Sequence, residues 1–171
     1  MPLHFRGALA PVLGWLRSLP RSVLDAHPSL WTAYASVLLA TGRTEETEDK
    51  LRSAESALAD ASPGAKVRDL VGRFAAIRAT LAVNRSDPDA IIAHSTRALE
   101  HLAPGNHAFR TSTSWKMGVA YALRGDRVAA ARAYGEALDA SRASGNTMFA
   151  VAAALGLAGL RESQTELRLA A

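Results

Sequence analysis

The feature that most restricts this chain is an alternation of Ala- and Leu-rich segments at helical spacing with short breaks of Gly, Pro or polar residues. Apolar residues recur every three or four positions from Ala8 to Leu19, then through Trp31, Tyr34, Ala35, Leu38 and Leu39, and again through Leu51, Ala54, Ala57 and Leu58. Pro20 stops the first segment because it has no N–H for the helix ladder, and Arg21 to Ala26 reads as a further short turn of helix. Pro28 suits a first helical turn and Gly42 a C-terminal cap. Thr44 opens the next helix, with Glu45, Glu46 and Glu48 at the positive end of its dipole, and Ser62-Pro63-Gly64 breaks it. Further helices are expected from about Lys66 to Asn84, from the Asp87-Pro88 cap through Leu102, and from Ala108 to Gly125. Asp126 caps one more that runs to Gly145-Asn146, Met148 to Ser163 forms the next, and Glu166 to Ala171 reads as the opening of another.

A pair of antiparallel helices cannot bury its apolar face alone, so neighbouring pairs must stack to make a shared core. No break is long enough to serve as a linker, and residues 1–171 are expected to form one continuous helical array. Val and Ile are few, and no stretch alternates apolar with polar long enough to make a strand. Apolar residues make up 49% of the chain but aromatics only 6%, so the core must be closed with small side chains and close helix contacts.

The absence of Cys removes disulfides, thiolate metal sites and cysteine nucleophiles, and is compatible with a cytoplasmic location. Gly7, Pro11, Gly14 and Arg17 interrupt what would be the apolar run of a signal peptide. The most apolar windows, Trp31 to Thr41 and Phe149 to Leu160, fall short of the roughly 20 residues that span a bilayer, so no membrane partner is expected. The net charge of +4 comes from arginines spaced singly along the chain, which reads as solvated helix faces and not as a surface for direct nucleic-acid binding.

The segment from Trp115 to Leu138 resembles a tetratricopeptide (TPR) repeat through Trp115, Gly118, Tyr121, Gly125, Ala130, Tyr134 and Ala137, with Trp115 one place late. Gly118 and Ala130 would let the two helices approach, while Tyr121 and Tyr134 fill the gap to the next hairpin. An earlier copy reads Trp31, Ala35, Leu38, Gly42 and Ala54, and a degenerate one Ala79, Ala82, Ser86, Ile91 and Ala98. The turns at Gly42, Ser86 and Gly125 lie 44 and 39 residues apart, longer than the roughly 34 of the standard repeat. Hairpins of this length look like the array in large LuxR-type transcription regulators related to MalT. Trp15-Leu16-Arg17-Ser18-Leu19-Pro20, His27-Pro28-Ser29-Leu30, Leu39-Ala40-Thr41-Gly42-Arg43 and Ala120-Tyr121 before Arg124-Gly125-Asp126 are similar to that family's motifs. The resemblance implies an all-α, right-handed superhelical stack of antiparallel helix hairpins, a TPR-like α-solenoid. In the family such an array lies between an ATP-hydrolysing switch module and a C-terminal helix-turn-helix; this sequence contains neither, which makes it read as a segment of a larger regulator.

No phosphate-binding loop of the form G-x-x-x-x-G-K-[ST], no G-x-G-x-x-G after a strand and no G-x-S-x-G elbow is present, so neither catalytic residues nor a cofactor are expected. His94 and His101 would stand roughly 10 Å apart along one helix, too far to share a metal ion. Gly156 and Gly159 lie inside an Ala/Leu-rich helix and read as sites of close packing.

In tetratricopeptide arrays the first helices of successive hairpins line a concave face that binds ligands. Registering those helices by Ala35, Ala79 and Gly118 points Ser36, Arg73, Thr80, Ser112, Trp115, Val119 and, in the final pair, Glu162 toward it. Arg73 offers a planar fork for a carboxylate and Trp115 a stacking face, although Trp115 could equally wedge between hairpins. The expected function is non-catalytic: ligand sensing and protein contact within a MalT-like LuxR-family regulator, with a protein or a small-molecule inducer as partner. The alternative is a free-standing TPR adaptor that holds a peptide or partner helix in its groove. An apolar edge after Glu166 would permit self-association through the C-terminal end.

Overall fold

Turn chemistry explains how this chain folds back on itself. The structure, a computed structural model, describes residues 9–59, 61–62 and 64–169, with the side chains of the last helix described as far as Glu162. The described helices are α1 (Leu9–Ser18), α2 (Arg21–Ala26), α3 (Pro28–Ala40), α4 (Thr44–Ala57), α5 (Ala65–Asn84), α6 (Pro88–His101), α7 (His107–Leu123), α8 (Arg127–Ser144) and α9 (Thr147–Leu169). No strand occurs among the described residues.

Three hairpins, α3–α4, α5–α6 and α7–α8, share one turn. Gly42, Ser86 and Gly125 sit in the left-handed region at φ 75°, 53° and 76°. In each, the following residue donates its N–H five positions back: Arg43 to Leu38 O at 3.0 Å, Asp87 to Ala82 O at 3.1 Å, and Asp126 to Tyr121 O at 2.9 Å. This is the Schellman closure that satisfies otherwise orphaned helix carbonyls. Two of those residues then cap the next helix, Asp87 accepting from Ala90 N–H and Asp126 from Ala129 N–H, each at 3.0 Å. Ser86 adopts the same conformation without glycine's freedom.

Each second helix packs on its own first helix, and the first helices touch in sequence: α3 on α5, α5 on α7, α7 on α9. The array is therefore two-layered, and sequential hairpins adjoin. Leu16, Val37, Leu38, Leu51 and Phe74 fill the N-terminal core, whereas Ala120, Ala130, Ala137 and Ala153 close the later hairpins. Close approach there is literal. A Cβ on Gly118 would come within 2.4 Å of the Tyr134 ring and one on Gly156 within 2.7 Å, so Tyr134 of α8 lies between glycines of α7 and α9.

As expected, α4 opens at Thr44, with Arg43 in the capping position without a side-chain bond and Thr47 donating its hydroxyl back to Arg43 O at 2.8 Å. Several other sequence expectations are corrected. The last helix does not break at Ser163: α9 continues to Leu169, because Ser163, Gln164 and Thr165 include neither Pro nor Gly to stop it. Glu166 therefore belongs to α9, while Ala8, Pro63, Ala170 and Ala171 lie outside the described residues. A Cβ on Gly159 would meet nothing within 4 Å, so close packing accounts for Gly156 and not for Gly159. Tyr121, expected beside Tyr134 in the gap to the next hairpin, faces instead a hollow shared with Leu99 of the preceding one.

Candidate ligand and partner surface

The register that positions the candidate residues follows from the shared turn. Ala35, Ala79 and Gly118, each seven residues before it, are buried against their partner helices. One residue further on, Ser36, Thr80 and Val119 are half-buried. Two of these turn their hydroxyls onto their own helix, Ser36 to Thr32 O at 2.8 Å and Thr80 to Ala76 O at 3.2 Å. Such back-bonding leaves the hydroxyl oxygen able to accept from a ligand.

Arg73 and Ser112 lie where α5 meets α7, while Thr80 and Trp115 stand further along the same two helices. Arg73 uses its fork within the chain, donating to Asp69 Oδ2 from Nε at 2.8 Å and Nη2 at 2.7 Å, and its guanidinium lies 5.7 Å over the Phe109 ring. Asp69 Oδ1 accepts from Ala103 N–H at 2.9 Å and Asn106 Nδ2 at 3.0 Å, tying the α6–α7 loop to the start of α5. Burial pushes the Asp69 carboxyl up, but the bonds from Asn106, Ala103 and Arg73 outweigh it and hold the group below its usual range. Trp115 packs against Phe149 of α9 at 6.1 Å and 55°, so it does wedge between successive first helices while staying half-exposed. Glu162 does not join this seam; it is exposed on α9, on the helical stripe that also carries Met148, Val151 and Leu155.

Sequence reasoning missed Lys116. Only 5% exposed, it reaches from α7 to α5 and donates from Nζ to Ala76 O at 3.1 Å and to Ser112 Oγ at 3.4 Å. Burial alone pushes its pKa down to about 7. Thr113, Lys116 and Ala120 fall on one buried helical face, so a lysine interrupting an apolar stripe was the readable signal. Phe109 and Phe149 were also missed; both stand near a helix start and press on the preceding first helix.

The opposite layer holds two hollows. One of about 300 Å³ is lined by Glu48, Arg78, Arg85, Asp87 and His94, the other of about 250 Å³ by Leu99, Met117, Tyr121 and Arg132. Arg78 is saturated by its own chain, with Nη1 to Glu55 at 2.5 Å and Nη2 to Glu48 at 2.8 Å. The bond from Arg78 holds the Glu55 carboxyl below its usual range, and burial followed by the Arg78 charge pushes His94 down. At the next interface Met117 and Leu99 occupy the register positions of Arg78 and Glu55, so an ion cluster and an apolar contact are alternative fillings of one inter-hairpin seam. Among the described residues no three His, Cys, Asp or Glu side chains gather as metal ligands, and no helix is long and apolar enough to cross a membrane.

Hairpins with a shared glycine-type turn, adjoining first helices and small residues at the crossing points define the tetratricopeptide-like class of helical arrays, a class that is typically non-catalytic. Within it, residues 72–171 match the family described as the MalT-like TPR region, and the chain belongs to that family. The α3–α4 hairpin extends the same turn geometry ahead of the matched residues. No curated protein and no solved structure matches the chain.

Proposed function

We propose that this chain is a ligand-sensing and protein-contact segment of a MalT-like LuxR-family transcription regulator, acting in the cytoplasm without catalysing a reaction. The observation that carries this reading is the α5–α7 seam. Arg73, Thr80, Ser112, Trp115 and Val119 line adjoining first helices in an array that belongs to the MalT-like TPR family. The seam combines a half-buried indole, an arginine held flat by Asp69 and a Thr80 hydroxyl whose oxygen can still accept, a set suited to a small polar ligand with one hydrophobic face. Binding there would bridge α5, α7 and α9, and so bias how successive hairpins stack.

The test is a thermal-shift screen of sugars, nucleosides and carboxylic acids, repeated on Trp115→Ala and Thr80→Val. A ligand that raises the melting temperature of the parent and loses its effect in both variants supports the seam. A ligand that stabilises all three equally binds elsewhere and defeats the assignment.

A further inference from the structure

The shared turns are alike, but the arginines beside them are not used alike. Arg85 and Arg124 each stand one residue before the left-handed residue of their turn. Arg124 is held by Asp89, three residues after the preceding turn. The same register sets Glu45 toward Arg85, yet no bond joins them, and among the described residues the Arg85 guanidinium has no partner. It lines instead the hollow of about 300 Å³ bounded by α4, α5 and α6.

Three groups face that hollow with bonding capacity left over. Arg85 offers its whole fork. Asp87, two residues on, engages only Oδ1, which accepts from Ala90 N–H at 3.0 Å, so Oδ2 is open. His94 is half-buried, and its ring has no hydrogen-bond partner among the described residues. Burial, followed by the Arg78 charge, pushes its pKa down, so at pH 7 it is a neutral ring that can both donate and accept.

Charge is distributed unevenly between the two ends. At the turn, Arg85 and Asp87 set a cation and an anion side by side without pairing to each other. At the His94 end Arg78 is closed on Glu48 and Glu55, and Arg97 also acts on Glu55 and His94, so two cations answer two anions. Asp87 and His94 are seven residues apart, roughly 10 Å along α6 at about 1.5 Å per residue. Leu81 and Ala90 give the hollow an apolar wall. A ligand that meets both ends therefore needs a zwitterionic head, an aliphatic stem and an uncharged polar tip.

We propose that this hollow binds a free α-amino acid, with its carboxylate on the Arg85 fork, its ammonium on Asp87 Oδ2 and an uncharged polar side-chain tip beside His94. The hollow at the next interface offers no such set, because Arg132 there is paired with Glu136. The site opens on the layer opposite the α5–α7 seam, so its occupancy is independent of what that seam binds.

The experiment is an NMR titration of the isotope-labelled full chain with L-glutamine, L-glutamate, L-lysine and butyramide. L-Glutamine is expected to shift the amides from Arg85 to His94 and to bind at least about tenfold more tightly than the two amino acids with charged tips. Butyramide, which has the tip without the zwitterion, should leave the spectrum unchanged. Arg85→Gln removes the fork from an exposed position and Asp87→Asn keeps the helix cap, so each should weaken binding at least about tenfold with the circular dichroism unchanged. Trp115→Ala should bind as the parent does. No shift with L-glutamine up to its solubility limit overturns the proposal, as do shifts centred on Trp115, equal binding of the three amino acids, butyramide binding as tightly as L-glutamine, or a titration that Arg85→Gln and Asp87→Asn leave unaltered.

Discussion

Lys116→Met offers the sharpest test of the packing described for the α5–α7 seam. The substitution keeps an unbranched stem of similar length and removes the amine that reaches Ala76 O and Ser112 Oγ. In the unfolded chain this lysine titrates near 10.5, whereas burial lowers it to about 7 in the folded protein. Below about pH 7 both states hold the proton, and folding carries the full cost of placing a charge in a dry seam. Between about 7 and 10.5 the unfolded chain alone holds it, so stability rises with pH; above that window neither state is charged and the cost is gone. With 1.36 kcal/mol per pKa unit, the cost is about 4 kcal/mol at pH 7, about 2 at pH 9 and about 1 at pH 10.

Against this gain the variant loses two hydrogen bonds of about 1 kcal/mol each. Lys116→Met is therefore expected to be about 2 kcal/mol more stable than the parent at pH 7, to match it near pH 9 and to fall about 1 kcal/mol below it at pH 10. Urea denaturation of both proteins at one-unit pH intervals measures the difference directly, and taking the difference cancels every other titrating group. A difference that stays flat from pH 6 to 10 would refute the argument, because it would mean that the amine keeps its charge and its water in the folded state.

Three further outcomes are expected. Gly118→Ala and Gly156→Ala should each cost about 1–3 kcal/mol by driving a Cβ into the Tyr134 ring, whereas Gly159→Ala should gain up to about 1 kcal/mol; thermal unfolding orders the three. Asp69→Ala should cost about 2–3 kcal/mol and speed amide exchange at Ala103, since it frees the α6–α7 loop. Because the Asp69 carboxyl is held below its usual value, its contribution is complete above that value and lost as pH falls through the lower native one, so acid titration should separate parent from variant only above that range. Ser86→Gly should stabilise by about 0.5–1 kcal/mol by relieving the left-handed backbone at φ 53°, and an unchanged urea midpoint would show that Ser86 carries no strain.

The array was legible because its punctuation is local. Pro20 and Pro28, the Asp87 and Asp126 caps, and the turns at Gly42, Ser86 and Gly125 act within a few residues of themselves, so position in sequence was enough to locate them. The equivalence of Ser86 with two glycines was readable from register alone, and the backbone carries it out. The end of α9 was misread because Ser163 to Thr165 are weak helix formers without being breakers, and only continued packing or its absence decides such a case. Arg73 could be singled out by register, but its partner Asp69 binds it from one turn away on the same helix and recruits Ala103 and Asn106 from the loop that follows α6.

The buried lysine was hidden for a related reason. Leu51, Ser95 and Tyr134 each stand nine residues after their turn and are buried, but they differ greatly in size. Tyr134 is accommodated by Gly156, nine residues into the following first helix; nine residues into α7, the helix that follows Ser95, stands Lys116. Register thus sets a large residue against glycine at one interface and has a small residue and a lysine at the corresponding positions of the other. Both of the latter are polar: Ser95 Oγ has no hydrogen-bond partner, and Lys116 must reach across to Ala76 O. Read one repeat at a time, Lys116 is a charge on a helix and belongs in solvent; only the approach of α5 to α7 shows that its stem crosses between them and its amine ends on Ala76 O.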